Sequence, residues 1–251
     1  MAVSMTGRAD LPPPPPLQQL SSTGPLALFL DFDGTLVDIA PRPDAIHIPD
    51  RLAARLGQLA ESTGGRLALV SGRSIEDLER HLGPIAVARA GSHGIARLTA
   101  DGSRLGDDPA GLPDAVGRAL EQFATLHHFM LETKPHGAAL HFRARPQLEA
   151  TGVEFAEAIA MRHGLQVKRG KSVVEIVHPG ADKGGAVRAF MATAPFAGAM
   201  PVFIGDDITD DDGFRAAAEL GGFGIAVGER VSRDARYRLG GVAELHEWLG
   251  L

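Results

Sequence analysis

An α/β protein built on a parallel sheet is the fold class this sequence predicts, and three observations predict it. Apolar runs and helical patterns alternate along most of the 251 residues. Runs such as LALFL from Leu26 and PVFIG from Pro201 are continuously apolar, as strands covered on both faces are. Each run ends in a polar or glycine-containing turn, which is what a crossover into a helix requires. An apolar fraction of 44% is enough to build a core in a chain of this length.

The elements follow in order. Residues 1–24 include LPPPPPLQQLSSTG, and prolines supply no amide donor, so this stretch is expected to be a disordered, proline-rich tail. LALFL is the first strand; DRLAARLGQLAES from Asp50 has helical spacing; RLALV is a strand ending at Val70; SIEDLERHL is a helix capped by Ser74. IAVARA from Ile85 is a third strand. After Ala181 the rhythm returns with helix DKGGAVRAFMA, strand PVFIG, helix ITDDDGFRAAAEL, strand FGIAV and helix VAELHEWL. Between these halves the texture changes to the alternating runs GAALHFRAR and KSVVEIV, set around helical stretches near 112–127 and 147–163. Residues 25–95 and 180–251 therefore read as one core, and residues 96–179 as an inserted α/β module whose open face looks down on it. Trp248 and Tyr237 read as core packing.

Composition narrows the chemistry. With no cysteine, disulfides, thiolate metal sites and cysteine nucleophiles are excluded, so any metal takes oxygen or imidazole ligands. A net charge of -6 without long basic blocks argues against nucleic acid or an anionic membrane as partner. No stretch reaches the roughly 18 apolar residues of a membrane span, and the first residues lack the order of a secretory signal. The expectation is a cytoplasmic monomer acting on a small molecule.

In open parallel sheets ligands gather beyond the carboxyl ends of the strands. The residues placed there are Asp31 and Asp33, then Ser71, Gly72 and Arg73, then Asp206 and Asp207, with Lys183 opening a helix. An ionised Asp attacks phosphorus without a base to activate it. Two carboxylates about 4 Å apart repel by about 4 kcal/mol at an effective dielectric near 20, so a lysine and a hard divalent cation such as Mg²⁺ are needed beside them. Ser71 and the amides of DGT and SGR are placed to hold phosphate oxygens.

DFDGTLV, LVSGR, DKGGA and GDDITDDDGF, in that order, resemble the four motifs of the haloacid dehalogenase (HAD) phosphatases. With GSHG, HFR and KSVVEI added, the chain resembles the trehalose-6-phosphate phosphatase family, whose fold is a Rossmann-like parallel core with an inserted α/β cap. The resemblance implies Mg²⁺-dependent hydrolysis of trehalose 6-phosphate through an aspartyl-phosphate. It implies Asp31 as nucleophile and Asp33 as the acid that protonates the leaving sugar, its proton held by anionic neighbours. Ser71 and Lys183 would bind the phosphoryl group, and Arg73 would reach it or fix the rim. Asp31, the main-chain carbonyl of Asp33 and Asp206 would hold Mg²⁺, with Asp207 and Asp210 close behind. The sugar would meet Lys171, Glu175, His93 and Arg143. The chain departs from the family pattern at Asp211, where a Glu is usual. Other sugar-phosphate phosphatases of the fold, a phosphomutase and a non-catalytic sugar-phosphate sensor are the competing readings.

Overall fold

The computed structural model describes residues 11–107, 110–170 and 172–251, and two sheets organise them. The strands of the larger are β1 (Leu26–Leu30), β2 (Leu67–Val70), β3 (Ala88–Gly91), β4 (Ala96–Leu98), β9 (Met200–Gly205), β10 (Phe223–Val227) and β11 (Tyr237–Leu239). They lie in the order β11-β10-β9-β1-β2-β3-β4, parallel throughout except for the β3–β4 pair.

Strand alternation sends successive side chains to opposite faces. Leu26, Leu28 and Leu30 pack on one side with Leu56 of α2 (Leu52–Ser62), Leu78 of α3 (Ile75–Leu82) and Leu245 of α8 (Val242–Leu249). Ala27 and Phe29 pack on the other with Phe190 of α6 (Lys183–Met191) and Phe214 of α7 (Asp211–Glu219). Leu28, Phe29 and Leu30 are fully buried, and each such side chain contributes about 1.5–3 kcal/mol relative to exposure. β1 is thus fixed from both faces and both edges.

The smaller sheet comprises β5 (Met130–Lys134), β6 (Gly137–His141), β7 (Gln166–Gly170) and β8 (Val173–Val177), in the antiparallel order β5-β6-β8-β7. Leu140, Val174 and Ile176 pack against Leu120 of α4 (Asp114–His127) and Ile159 of α5 (Glu149–His163). The opposite face carries the polar residues Glu132, Glu175 and Lys168 in one cross-strand row, with only Ala139 between the two carboxylates. That face lines a cavity of about 940 Å³ above the strand ends of the larger sheet.

Two expectations are corrected. Residues 96–98, assigned to the insertion, form β4 and pair with β3 in the larger sheet. Within the expected disordered tail, residues 11–24 are ordered. The prolines stay extended, with φ -51° and ψ 139° at Pro16, but α1 (Leu17–Ser22) begins directly after them, and Leu17 and Leu20 pack on the core. Residues 1–10 of that tail lie outside the described residues. No helix among the described residues is long and apolar enough to cross a membrane.

Candidate active site

The strand order reverses at β1, whose neighbours are β2 on one side and β9 on the other, and the crevice at such a reversal is where ligands bind. Asp31 and Asp33 leave β1 there, Asp206 leaves β9, and Lys183 opens α6 with Asp182 capping it through the Gly185 N–H at 2.6 Å. Lys183 Nζ donates to Asp31 Oδ1 at 2.7 Å and to Asp210 Oδ1 at 2.6 Å. Carboxylate oxygens of Asp31, Asp206 and Asp210 lie within 4.8 Å of one another. Thr35 Oγ1 donates to Asp206 Oδ1 at 3.1 Å.

Two glycines make this approach possible. A Cβ on Gly34, whose φ is +82°, would stand 2.2 Å from Asp206 Oδ2, and one on Gly205 would stand 2.2 Å from Asp210 Cγ. Any side chain at either place would push an acid out of the cluster.

Three carboxylates against one ammonium leave an excess of negative charge in a buried place. Burial pushes the Asp31 carboxyl well above the usual range, Asp210 and Asp206 push it further, and Lys183 opposes them. Burial pushes Asp206 up to about 6, with Asp210 adding to it and Lys183 opposing. Lys183 goes the other way: burial would lower it, but Asp210 and Asp31 outweigh burial and keep it charged. An all-oxygen donor set with surplus negative charge fits a hard divalent cation.

Asp207, expected among the metal ligands, lines the cavity but is not one of the three clustered acids. Its N–H donates to Asp210 Oδ2 at 2.8 Å and its main-chain carbonyl accepts from the Asp210 N–H at 3.0 Å, which closes the short turn at residues 208–210. Asp210 takes the place in the cluster.

Asp33 is held by a cation. Arg73 Nε donates to Asp33 Oδ2 at 2.6 Å and Nη2 to Oδ1 at 2.7 Å, while Nη1 donates to Asp77 Oδ2 on α3 at 2.6 Å. The guanidinium also lies 5.8 Å from the Phe32 ring centre. Burial would lower the Arg73 pKa, but hydrogen bonds and charge from Asp33 and Asp77 outweigh it. The expected anionic surroundings of Asp33 are therefore replaced by a bidentate guanidinium. Ser71 Oγ accepts from the Arg73 N–H at 3.1 Å and lines the cavity; Ser74, not Ser71, caps α3.

The two sheets meet through Glu175. Its carboxylate accepts from Lys134 Nζ at 2.7 Å and from His93 Nε2, and Lys134 also donates to the Gly72 carbonyl at 3.1 Å. Burial alone would raise the Glu175 carboxyl, but Lys134 and His93 hold it well below the usual range. His93 adopts φ 58° and ψ 29°, and its Nδ1 is buried with no hydrogen-bond partner among the described residues. Arg143 Nη1 donates to the Ala40 carbonyl at 2.6 Å, and Lys168 Nζ to Asp212 Oδ2 at 3.1 Å. His141 Nε2 and Glu132 Oε2 are 2.8 Å apart at the same cavity wall.

Lys171 lies outside the described residues; Ser172 beside it, at φ 65°, turns the chain from β7 into β8. Sequence reasoning passed over Lys134, Glu132 and Lys168. The signal was there in MLETK, where Glu132 and Lys134 alternate onto one face. Asp211 faces away from the acid cluster: it accepts from Ser232 Oγ at 2.7 Å and pairs with Arg230, which also donates to the Asp207 carbonyl at 3.1 Å.

The fold is the one seen in solved structures of the HAD type. A solved phosphatase of the haloalkanoate (HAD) enzyme superfamily from Bacteroides thetaiotaomicron superposes with a TM-score of 0.63 at 16% identity, covering 90% of this chain and 93% of that one. The C-terminal domain of Candida albicans trehalose-6-phosphate phosphatase superposes with a TM-score of 0.83 at 21% identity, covering 97% and 98%. The model of the trehalose-phosphatase family matches residues 29–239, and this chain belongs to that family. Trehalose-6-phosphate phosphatase of Escherichia coli K12 is 38% identical over 231 residues, 89% of this chain and 85% of the relative.

Proposed function

We propose that this enzyme hydrolyses trehalose 6-phosphate to trehalose and phosphate. The observation that carries the chemistry is the Asp31–Lys183–Asp210 chain, with Asp206 beside it, at the strand reversal beneath a polar roof. The similarity to trehalose-6-phosphate phosphatases supports the choice of sugar. The Glu132–Glu175–Lys168 row supports a hydroxyl-rich leaving group, because it offers acceptors and a donor on one wall.

Asp31 attacks phosphorus: the bond from its carboxylate oxygen to phosphorus forms as the bond to the sugar oxygen breaks. Asp33, once one of its oxygens leaves Arg73 and takes up a proton, gives that proton to the sugar oxygen, so the sugar leaves as an alcohol. Asp33 then accepts a proton from the water that attacks the aspartyl-phosphate, and phosphate leaves as Asp31 is restored. Lys183 and Ser71 hold the phosphoryl oxygens, and Arg73 positions Asp33. Asp31, Asp206 and Asp210 would hold Mg²⁺, which supplies charge neutralisation between the acids and the incoming phosphate. Residues 99–179 act as the cap, with Glu175, Lys134 and His93 on the sugar side.

Phosphate release from trehalose 6-phosphate, sucrose 6-phosphate, glucose 6-phosphate and mannosyl-3-phosphoglycerate, each with Mg²⁺ and with EDTA, tests this. Metal-dependent preference for the first is the expected result. Preference for another sugar would keep the chemistry and overturn the substrate; binding of trehalose 6-phosphate without hydrolysis would overturn the chemistry.

A further inference from the structure

β11 is the outermost strand of the larger sheet, and its free edge is a row of main-chain groups open to pairing. The segment that covers it is LPPPPPL, residues 11–17. The Arg238 N–H donates to the Pro12 carbonyl at 3.0 Å, and Trp248 Nε1 of α8 donates to the Pro15 carbonyl at 2.9 Å. These carbonyls are three residues apart, one turn of a polyproline II helix, so they face the same side. Pro14 between them is buried. Leu11 packs with the apolar cluster on one face of the sheet, and Leu17 and Leu20 with the cluster on the other, so the segment wraps around the edge.

We propose that β11 and α8 form a polyproline II recognition surface whose ligand is this chain's own Leu11–Leu17. Recognition rests on periodicity. An edge amide and an indole N–H are spaced to meet carbonyls one turn apart, and proline keeps those carbonyls free and pre-set, lowering the ordering cost of binding. Because proline has no N–H, the segment ends the hydrogen-bond ladder and leaves nothing for a further strand to pair with.

Trp248 is the chain's one tryptophan, so its emission reports this surface alone. The test uses the full chain carrying Pro12→Gly, Pro13→Gly, Pro14→Gly, Pro15→Gly and Pro16→Gly together. Its Trp248 emission is expected to shift to the red and to be quenched more by acrylamide. A synthetic LPPPPPL peptide should reverse both saturably, while the unsubstituted chain, its surface filled, ignores the peptide. Unchanged emission, or a peptide without effect on the variant, would overturn the proposal. A variant whose mass doubles while Trp248 stays shielded would make a second copy the occupant and overturn the assignment in cis. Should the glycine variant not fold, Trp248→Phe removes the indole donor while keeping an aromatic ring against the core. Hydrogen exchange at the Arg238 amide should then quicken about tenfold, and an unchanged rate would equally overturn the proposal.

Discussion

Arg73 grips both carboxylate oxygens of Asp33 and holds Asp77 of α3 with a third donor, so the proposed acid is anchored to a helix and not to the neighbouring acid cluster. Arg73→Ala frees Asp33 to rotate. The expected outcome is a fall in kcat of about 10²–10³-fold with KM little changed, read by steady-state kinetics. Arg73→Lys should recover only part, since an ammonium cannot span two oxygens in a fork. Normal kcat in Arg73→Ala would detach Arg73 from Asp33's role.

Asp31→Asn keeps the size of the side chain and removes the attacking anion. Turnover should fall by at least about 10⁴-fold, while the thermal midpoint stays within a few degrees of the parent. Phosphate-release assays and calorimetry on the same preparation check it, and a variant of ordinary activity would place the nucleophile elsewhere.

Glu175 links acidity to stability. Its folded-state pKa lies below its unfolded value, so its contribution is complete above the unfolded carboxylate value of about 4.3 and is lost as pH falls towards the folded one. In urea unfolding the parent should therefore lose stability relative to Glu175→Gln as pH falls below about 4.3, the raised carboxyls of the acid cluster being common to both proteins. Glu175→Gln leaves Lys134 buried without its anion, at a cost of about 3–5 kcal/mol at neutral pH, and should flatten the acid slope. Parallel slopes in the two proteins would count against the coupling.

The acid cluster predicts a metal response that needs no turnover. Mg²⁺ at about a hundredfold its dissociation constant should stabilise the parent by about 2.7 kcal/mol, seen as a rise in the thermal midpoint. Asp206→Asn should lose most of that rise. Equal shifts in both proteins would take Asp206 out of the metal site.

The core was legible because its strands are buried on both faces: LALFL, PVFIG and FGIAV announce themselves by continuous apolar residues. β5 and β7 were not, since they are the edges of a half-covered sheet and carry MLETK and QVKRG, mostly polar segments that show neither a continuous apolar run nor a clean alternation. β4 and β11 are three residues each, too short for periodicity to register. Of the site, the residues at strand ends could be read from position alone. Arg73's grip on Asp33 and Lys134's reach to Gly72 could not, because each joins segments far apart in the chain. Nor could the exchange of Asp207 for Asp210, which depends on a turn of one residue's reach. The prolines led to the expectation of a disordered tail because nothing local in them says that an edge strand is waiting for the segment.

Seating β1 between β2 and β9 also dictates an order of events on the ribosome. β2 follows β1 closely, whereas Val202, the partner of Leu28, is made only after the whole second sheet. β5 to β8 are contiguous in sequence and can close as a unit while β1 still has one bare edge, an apolar strand exposed to other chains in the interval. The acid cluster cannot exist before β9 arrives, so a nascent chain of this enzyme gains its shape on the sugar side first and its chemistry last.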